Sequence, residues 1–252
     1  MIVSRRVMVG LNWFLDSFVP PILRDSFIFS LVSQLITKGA PMSFRKFRSE
    51  AFEMTDQQFR DFYEKTALRV HQGATDLSPK SAEAVRRAVT AGPVLEAGCG
   101  RGWLAKEISK SHRVVATDVS LTGSYAEIGE NMPSLVECNL EALPFSDGQF
   151  PTVVCTHTLE HVLDFQKAIG ELRRVCSGTL VVVVPRQRPY DVTFSPHLHF
   201  FPYRWSLLAY TGVAYLHSLT LVGGDWLLIE HHHGESPQSP DAPTVRDSAT
   251  DD

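Results

Sequence analysis

Hydrophobic positions along this chain change period twice. Val7, Leu11, Phe14, Leu15 and Phe18 recur at helical spacing up to Pro20-Pro21, which reads as a stop, and Ile28, Leu31, Val32, Leu35 and Ile36 repeat the pattern. A third helix is predicted from Thr55, whose spacing to Gln58 fits a capping box, with Phe59, Phe62, Tyr63, Ala67 and Val70 turned inward. Ser78-Pro79 makes an N-cap and first-turn pair for a fourth. From there short apolar runs alternate with helical stretches. The order is strand 94–98, helix 102–111, strand 113–118, a loop with a short helix, strand 134–138, strand 152–156, helix 163–174, strand 179–184 and a helix near 203–210. The fourth strand is started at Thr152 because Pro151 donates nothing to a ladder. Leu216 to Val222 and Asp225 to His231, separated by Gly223-Gly224, read as a closing antiparallel hairpin. From Gly234 onward Ser, Pro, Asp and Thr dominate, and the segment is expected to be disordered.

The expected fold is therefore α/β: a doubly wound, mostly parallel seven-stranded sheet with a terminal antiparallel hairpin and an N-terminal helical extension. The division is residues 1–78 as helical extension, 79–233 as the main domain and 234–252 as tail. The extension admits three readings: padding for the core, a lid over a substrate, or a surface that touches a membrane. The lid is the functional choice.

The most informative segment is Val94-Leu-Glu-Ala-Gly-Cys-Gly-Arg-Gly102, a buried strand running into a loop of three alternating glycines and then a helix. Such a loop lets bare backbone approach a nucleotide-type cofactor. The glycines fall one short of the dinucleotide spacing, since Trp103 stands sixth from Gly98, and no Gly-Lys-Ser/Thr follows for a phosphate loop. The second strand ends in Asp118, whose carboxylate can accept from both hydroxyls of a ribose.

With 252 residues, 44% hydrophobic, the chain has ample material for a large core. Its formal net charge of −4 offers no field for a polyanion, so nucleic acid is not an expected substrate. Cys99, Cys138, Cys155 and Cys176 lack the spacing of a zinc site or a disulfide framework and are read as reduced thiols of a cytoplasmic protein. Asp16, Pro20, Pro21, Arg24 and Asp25 interrupt the first apolar stretch, so no transmembrane segment is expected, while peripheral membrane contact stays open.

The pattern Glu96-x-Gly98-x-Gly100-x-Gly102 resembles the first motif of class I S-adenosylmethionine-dependent methyltransferases. The likeness extends through the strand ending at Asp118, the Leu143-Pro-Phe145 loop after Asn139, the fourth strand running into Glu160-His161, the helix over 168–175 and the strand over 178–185. It implies S-adenosylmethionine as cofactor, contacted by Glu96, Gly98, Cys99, Gly100, Asp118, Val119, Asn139, Leu140 and Thr156. Asn139 stands where the family usually has Asp, and its side-chain carbonyl can still accept from an adenine amino group.

The resemblance also implies in-line methyl transfer to a small-molecule or lipid-related acceptor. Histidine is the natural general base for such chemistry, and His157 and His199 are the chosen candidates, with no metal site assigned. Glu160-His161 reads mainly as a structural pair. His197 and His199 could ligate a metal from an extended loop, but no carboxylate nearby in sequence completes a set. His231, His232 and His233 form a separate, solvated cluster. Two other readings stay open: a non-catalytic module that binds the same cofactor, and an NAD-dependent oxidoreductase.

Overall fold

The computed structural model describes residues 14–15, 18–26, 29, 45–70, 74–121, 133–190, 195–212 and 214–232. Much of the first two predicted helices, the predicted loop helix after Asp118, and the tail lie outside the described residues.

Seven strands form one sheet: β1 (Val94–Ala97), β2 (Val114–Asp118), β3 (Ser134–Glu137), β4 (Phe150–Thr156), β5 (Cys176–Pro185), β6 (Leu216–Val222) and β7 (Asp225–His231), in the order β3-β2-β1-β4-β5-β7-β6. The first five run parallel, with Val94 beside both Val114 and Thr152. β7 is antiparallel to both β5 and β6, as the hairpin pattern predicts. The order reverses beside β1, so the crevice at the carboxyl ends of β1 and β4 is the place where an open sheet of this type takes a ligand.

Both faces of the central strands are covered, and for that reason their sequences read as nearly unbroken apolar runs. Leu95, Ala97, Val153, Cys155, Leu180, Val182 and Val184 pack on one face, joined by Phe165, Ile169 and Leu172 of α6 (Phe165–Val175) and Leu207 of α7 (Arg204–Thr211). Val94, Val114, Ala116, Val154, Val181 and Val183 pack on the other, with Ala82 and Val85 of α4 (Pro79–Ala88) and Leu104, Ala105 and Ile108 of α5 (Trp103–Ser109). Ser78 caps α4 by accepting from the Ser81 N–H at 3.1 Å, and Asp164 caps α6 by accepting from the Lys167 N–H at 3.0 Å.

Two expectations are corrected. β4 begins at Phe150 and includes Pro151, which sits where the register to β5 breaks between Phe150 and Thr152 and before pairing with β1 begins. Its missing N–H costs no ladder bond there. Pro20-Pro21 starts a helix rather than ending one: α1 (Pro21–Arg24) has proline at its first position, where no N–H is needed.

Ahead of the sheet lie α2 (Arg45–Glu50) and α3 (Asp56–Val70). The predicted capping box holds, with the Thr55 N–H donating to Gln58 Oε1 at 2.9 Å and the Gln58 N–H to Thr55 Oγ1 at 3.3 Å. Phe47 of α2 stacks on Phe62 of α3 with ring centroids 3.9 Å apart, joining the two helices.

Candidate functional site

The three glycines of the β1–α5 loop all adopt left-handed backbone conformations, but for different reasons. At Gly98 (φ 76°) an added Cβ would overlap Oγ1, Cγ2 and Cβ of Thr158, the last at 2.7 Å. At Gly100 (φ 52°) it would meet nothing within 4 Å, so this residue presents bare backbone to open space. Gly102 (φ 72°) starts α5. The loop is fixed from below, since Gly98 and Cys99 both donate to the Thr117 carbonyl at 2.8 Å and Thr158 Oγ1 donates to the Gly98 carbonyl at 3.2 Å. Asp118, ending β2, accepts from the Gly100 N–H at 2.7 Å.

The remaining residues expected at the cofactor gather around this loop. Glu96 is buried in β1 beneath it, with Oε2 unpartnered. Val119 follows Asp118, and Thr156 ends β4. Asn139 is exposed after β3, its side-chain carbonyl accepting from the Glu141 N–H at 2.9 Å, while Leu140 beside it is buried. The Leu143-Pro-Phe145 loop is held by α6: Arg174 donates to the carbonyls of Leu143 (3.0 Å) and Phe145 (2.7 Å), and Glu171 accepts from the Leu143 N–H at 2.8 Å.

Carboxylates dominate the electrostatics here. Burial, reinforced by Asp118, pushes the Glu96 carboxyl well above its usual range. Burial first, then Glu160 and Asp118, raise the Tyr63 phenol well above its ordinary value. A site with this field favours a cationic ligand over the phosphates of a dinucleotide.

The histidines separate into two groups. His157 has φ 51° and lies between Glu160 Oε1 (3.4 Å from Nδ1) and Asp225 Oδ1 (3.5 Å from Nε2). Burial opposes its charge, but the two carboxylates prevail and lift its pKa to about 10. Protonated at neutral pH, it cannot serve as the general base expected from the sequence. His199 is corrected too. Its Nε2 donates to the Val162 carbonyl at 2.9 Å, and its ring packs against Phe165 and Tyr210, with centroids 5.5 Å away in each case. That makes it a packing and positioning residue.

The second group was underweighted in the sequence. His161 and His197 stand edge to face with ring centroids 4.8 Å apart, and Tyr63 Oη lies 3.1 Å from His161 Nδ1. Burial, then the neighbouring His161 and His157, hold His197 well below its ordinary pKa. Tyr63 comes from α3, which also reaches the site edge through Glu64, accepting from Ser120 Oγ at 3.1 Å, and Arg60, 3.3 Å from Glu137. Helical spacing among Phe59, Phe62 and Tyr63 signalled a buried face without telling what it covers.

An open sheet of this order, with a bare glycine loop after β1 and a carboxylate at the end of β2, defines a nucleoside-cofactor-binding α/β domain. Known proteins narrow that class. Residues 95–182 match the methyltransferase-domain family. A probable S-adenosylmethionine-dependent methyltransferase of Mycobacterium tuberculosis is 34% identical over 110 residues, covering 42% of this chain and 39% of that protein. The chain thus spans well under half the length of that curated relative. Among solved structures, a Pyrococcus horikoshii protein matches with a TM-score of 0.53 at 17% identity, covering 68% of this chain and 98% of that one. A Thermotoga maritima methyltransferase described as a possible histamine N-methyltransferase matches with a TM-score of 0.51 at 16% identity, covering 69% and 97%. The chain belongs to the class I S-adenosylmethionine-dependent methyltransferases. The glycine, Asp118 and Leu-Pro-Phe features all fall inside the matched residues.

Proposed function

We propose that this protein transfers the methyl group of S-adenosylmethionine to a small-molecule or lipid-related acceptor held between the β4 and β5 ends of the sheet and α3. The observation that carries this reading is Gly100: an open, left-handed backbone position bonded to Asp118, within a carboxylate-rich rim suited to a sulfonium and an ammonium. In this reading Asp118 exchanges part of its hold on the loop for the ribose hydroxyls, Glu96 supplies negative potential from below, and Asn139 and Leu140 border the adenine.

The cofactor, when bound, supplies a methyl group already activated by the sulfonium. The chain then has to orient the acceptor, exclude water and accommodate the acceptor's proton. Tyr63, His161 and His197 line the acceptor side in place of His157 and His199, and His157 is a fixed cation behind them. Phe47, Phe59 and Phe62, packed against one another around Tyr63, make the covering helices apolar and confining, which supports a compact or lipid-like acceptor and the lid role for residues 1–78. Among the described residues no helix is long and apolar enough to cross a membrane.

The test has two parts. Calorimetry on the full chain should show binding of S-adenosylhomocysteine, with no comparable binding of NAD. Incubation with methyl-labelled S-adenosylmethionine and fractionated metabolite and lipid extracts should then move label into one fraction. Binding without transfer into any fraction would favour the non-catalytic module, and binding of NAD alone would refute the cofactor assignment.

A further inference from the structure

The turn after β4 and the loop after β5 bring together three side chains that the sequence keeps well apart. One ligand atom each from Glu160, His161 and His197 lies within 4.8 Å of the others. Glu160 is fully buried, and although Oε1 approaches His157, neither carboxylate oxygen accepts a hydrogen bond. Such an arrangement is costly for a carboxylate without a cation to face.

Each histidine is oriented by its other nitrogen. His161 Nδ1 lies 3.2 Å from the Pro196 carbonyl, which can only accept, so the proton sits on Nδ1. Tyr63 Oη reinforces this by contacting the same nitrogen at 3.1 Å while donating toward the carbonyls of His161 and Pro196, each 3.4 Å away. His197 Nδ1 donates to Gln187 Oε1 at 2.6 Å, and Gln187 is itself buried. Both imidazoles are thereby set in the tautomer whose Nε2 carries a lone pair. An oxygen acceptor on the far nitrogen is the support that metal-ligating histidines characteristically receive.

We propose that Glu160, His161 and His197 form a binding site for a divalent transition ion of the zinc type, with remaining positions open toward the acceptor. Two imidazoles and one carboxylate are a zinc-compatible set that leaves room for an exchangeable ligand. Drawing the three atoms onto ligand distances of about 2.0–2.2 Å requires only side-chain adjustment of a few tenths of an ångström to about an ångström. Glu160 would turn from His157 to the ion, leaving His157 paired with Asp225, which Ser81 Oγ holds at 2.6 Å. Thr158, two residues before Glu160, bonds the Gly98 carbonyl, so the ion would stand beside the cofactor loop.

The site stands independently of the cofactor, whereas its role rests on the proposed methyl transfer. There the ion would lower the pKa of an acceptor hydroxyl, which releases its proton to solvent. The oxygen lone pair then forms the new O–C bond as the S–C bond breaks and its electron pair returns to sulfur.

The experiment uses the full chain stripped with a chelator and carrying His231→Gln and His233→Gln, which removes part of the separate histidine cluster as a competing site. Calorimetric titration with zinc chloride should give one ion per chain. Glu160→Gln and His197→Gln should each weaken binding by roughly 100-fold or more, with S-adenosylhomocysteine affinity as the check that the fold survives. Zinc-edge X-ray absorption on the parent background should show two imidazoles among nitrogen and oxygen ligands, a readout that holds even if a variant fails to fold. Absence of stoichiometric binding, unchanged affinity in both variants, or a spectrum without imidazole would overturn the site. Loss of S-adenosylhomocysteine binding alone would instead count against the cofactor reading.

Discussion

Gly98 and Gly100 share a left-handed backbone yet should respond to alanine in opposite ways. Each replacement places an L side chain at positive φ, at about 1–2 kcal/mol. At Gly100 that is the whole structural cost, because the new methyl enters open space. At Gly98 the methyl overlaps Thr158, a short branched side chain with no flexible end to move away. Displacing it sacrifices the Oγ1 bonds to the carbonyls of Gly98 (3.2 Å) and Thr156 (3.0 Å). At about 1 kcal/mol per bond, Gly98→Ala should cost about 3–4 kcal/mol in all. For a domain of this size, that is a fall of roughly 6–16 °C in the melting temperature, against roughly 2–8 °C for Gly100→Ala. Calorimetry with S-adenosylhomocysteine should show the reverse emphasis: Gly100→Ala, although folded, loses at least about tenfold in affinity, or about 1.4 kcal/mol. Thr158→Gly should recover part of the Gly98→Ala loss in a double-mutant cycle. Equal melting temperatures for the two alanine variants, or full affinity in Gly100→Ala, would refute both the steric account of Gly98 and the open-face account of Gly100.

Asp118→Ala should weaken S-adenosylhomocysteine by about 1.5–3 kcal/mol in calorimetry, since it removes a charged acceptor for the ribose and the Gly100 N–H together. Glu230, whose Oε1 and Oε2 pair with Arg173 Nη2 at 2.5 Å and Nε at 2.9 Å, is held below the usual carboxylate range because Arg173, then His232, outweigh the opposing burial. A depressed native pKa stabilises fully above the unfolded value of about 4.3 and is lost as pH falls through the native one. Melting temperature should therefore decline on acidification below about pH 5, and Glu230→Gln, costing about 3 kcal/mol at neutral pH, should show a shallower acid slope. Tyr63→Phe should raise the KM for the acceptor while leaving S-adenosylhomocysteine affinity unchanged, as measured by steady-state kinetics beside calorimetry.

Strand order and cofactor loop were legible because each is signalled locally. Val94 to Ala97 is a short apolar run punctuated by glycine, and Asp118 closes the next one. The hairpin was equally plain from Gly223-Gly224. Pro151 misled because proline excludes a ladder bond without revealing that a register break awaits it. The acceptor side was harder to read, since its character is decided by partners remote along the chain. His157 looks like a base until Asp225, from the opposite end of the domain, is placed against it. Glu160-His161 looks structural until the loop bearing His197 folds over it, and Tyr63 is indistinguishable by spacing from Phe59 and Phe62.

The carboxylate-rich rim formed by Glu96, Asp118 and Glu160 bears on turnover as well as binding. In the proposed reaction the cofactor enters with a positive sulfur and leaves as a neutral thioether, so the attraction that draws it in lapses when the methyl group departs. Buried Glu96, short of partners and most in need of a nearby cation, feels that change directly. The rim thus acts as an electrostatic ratchet, tightening on the reactant, loosening on the product and setting the direction of exchange without any moving part.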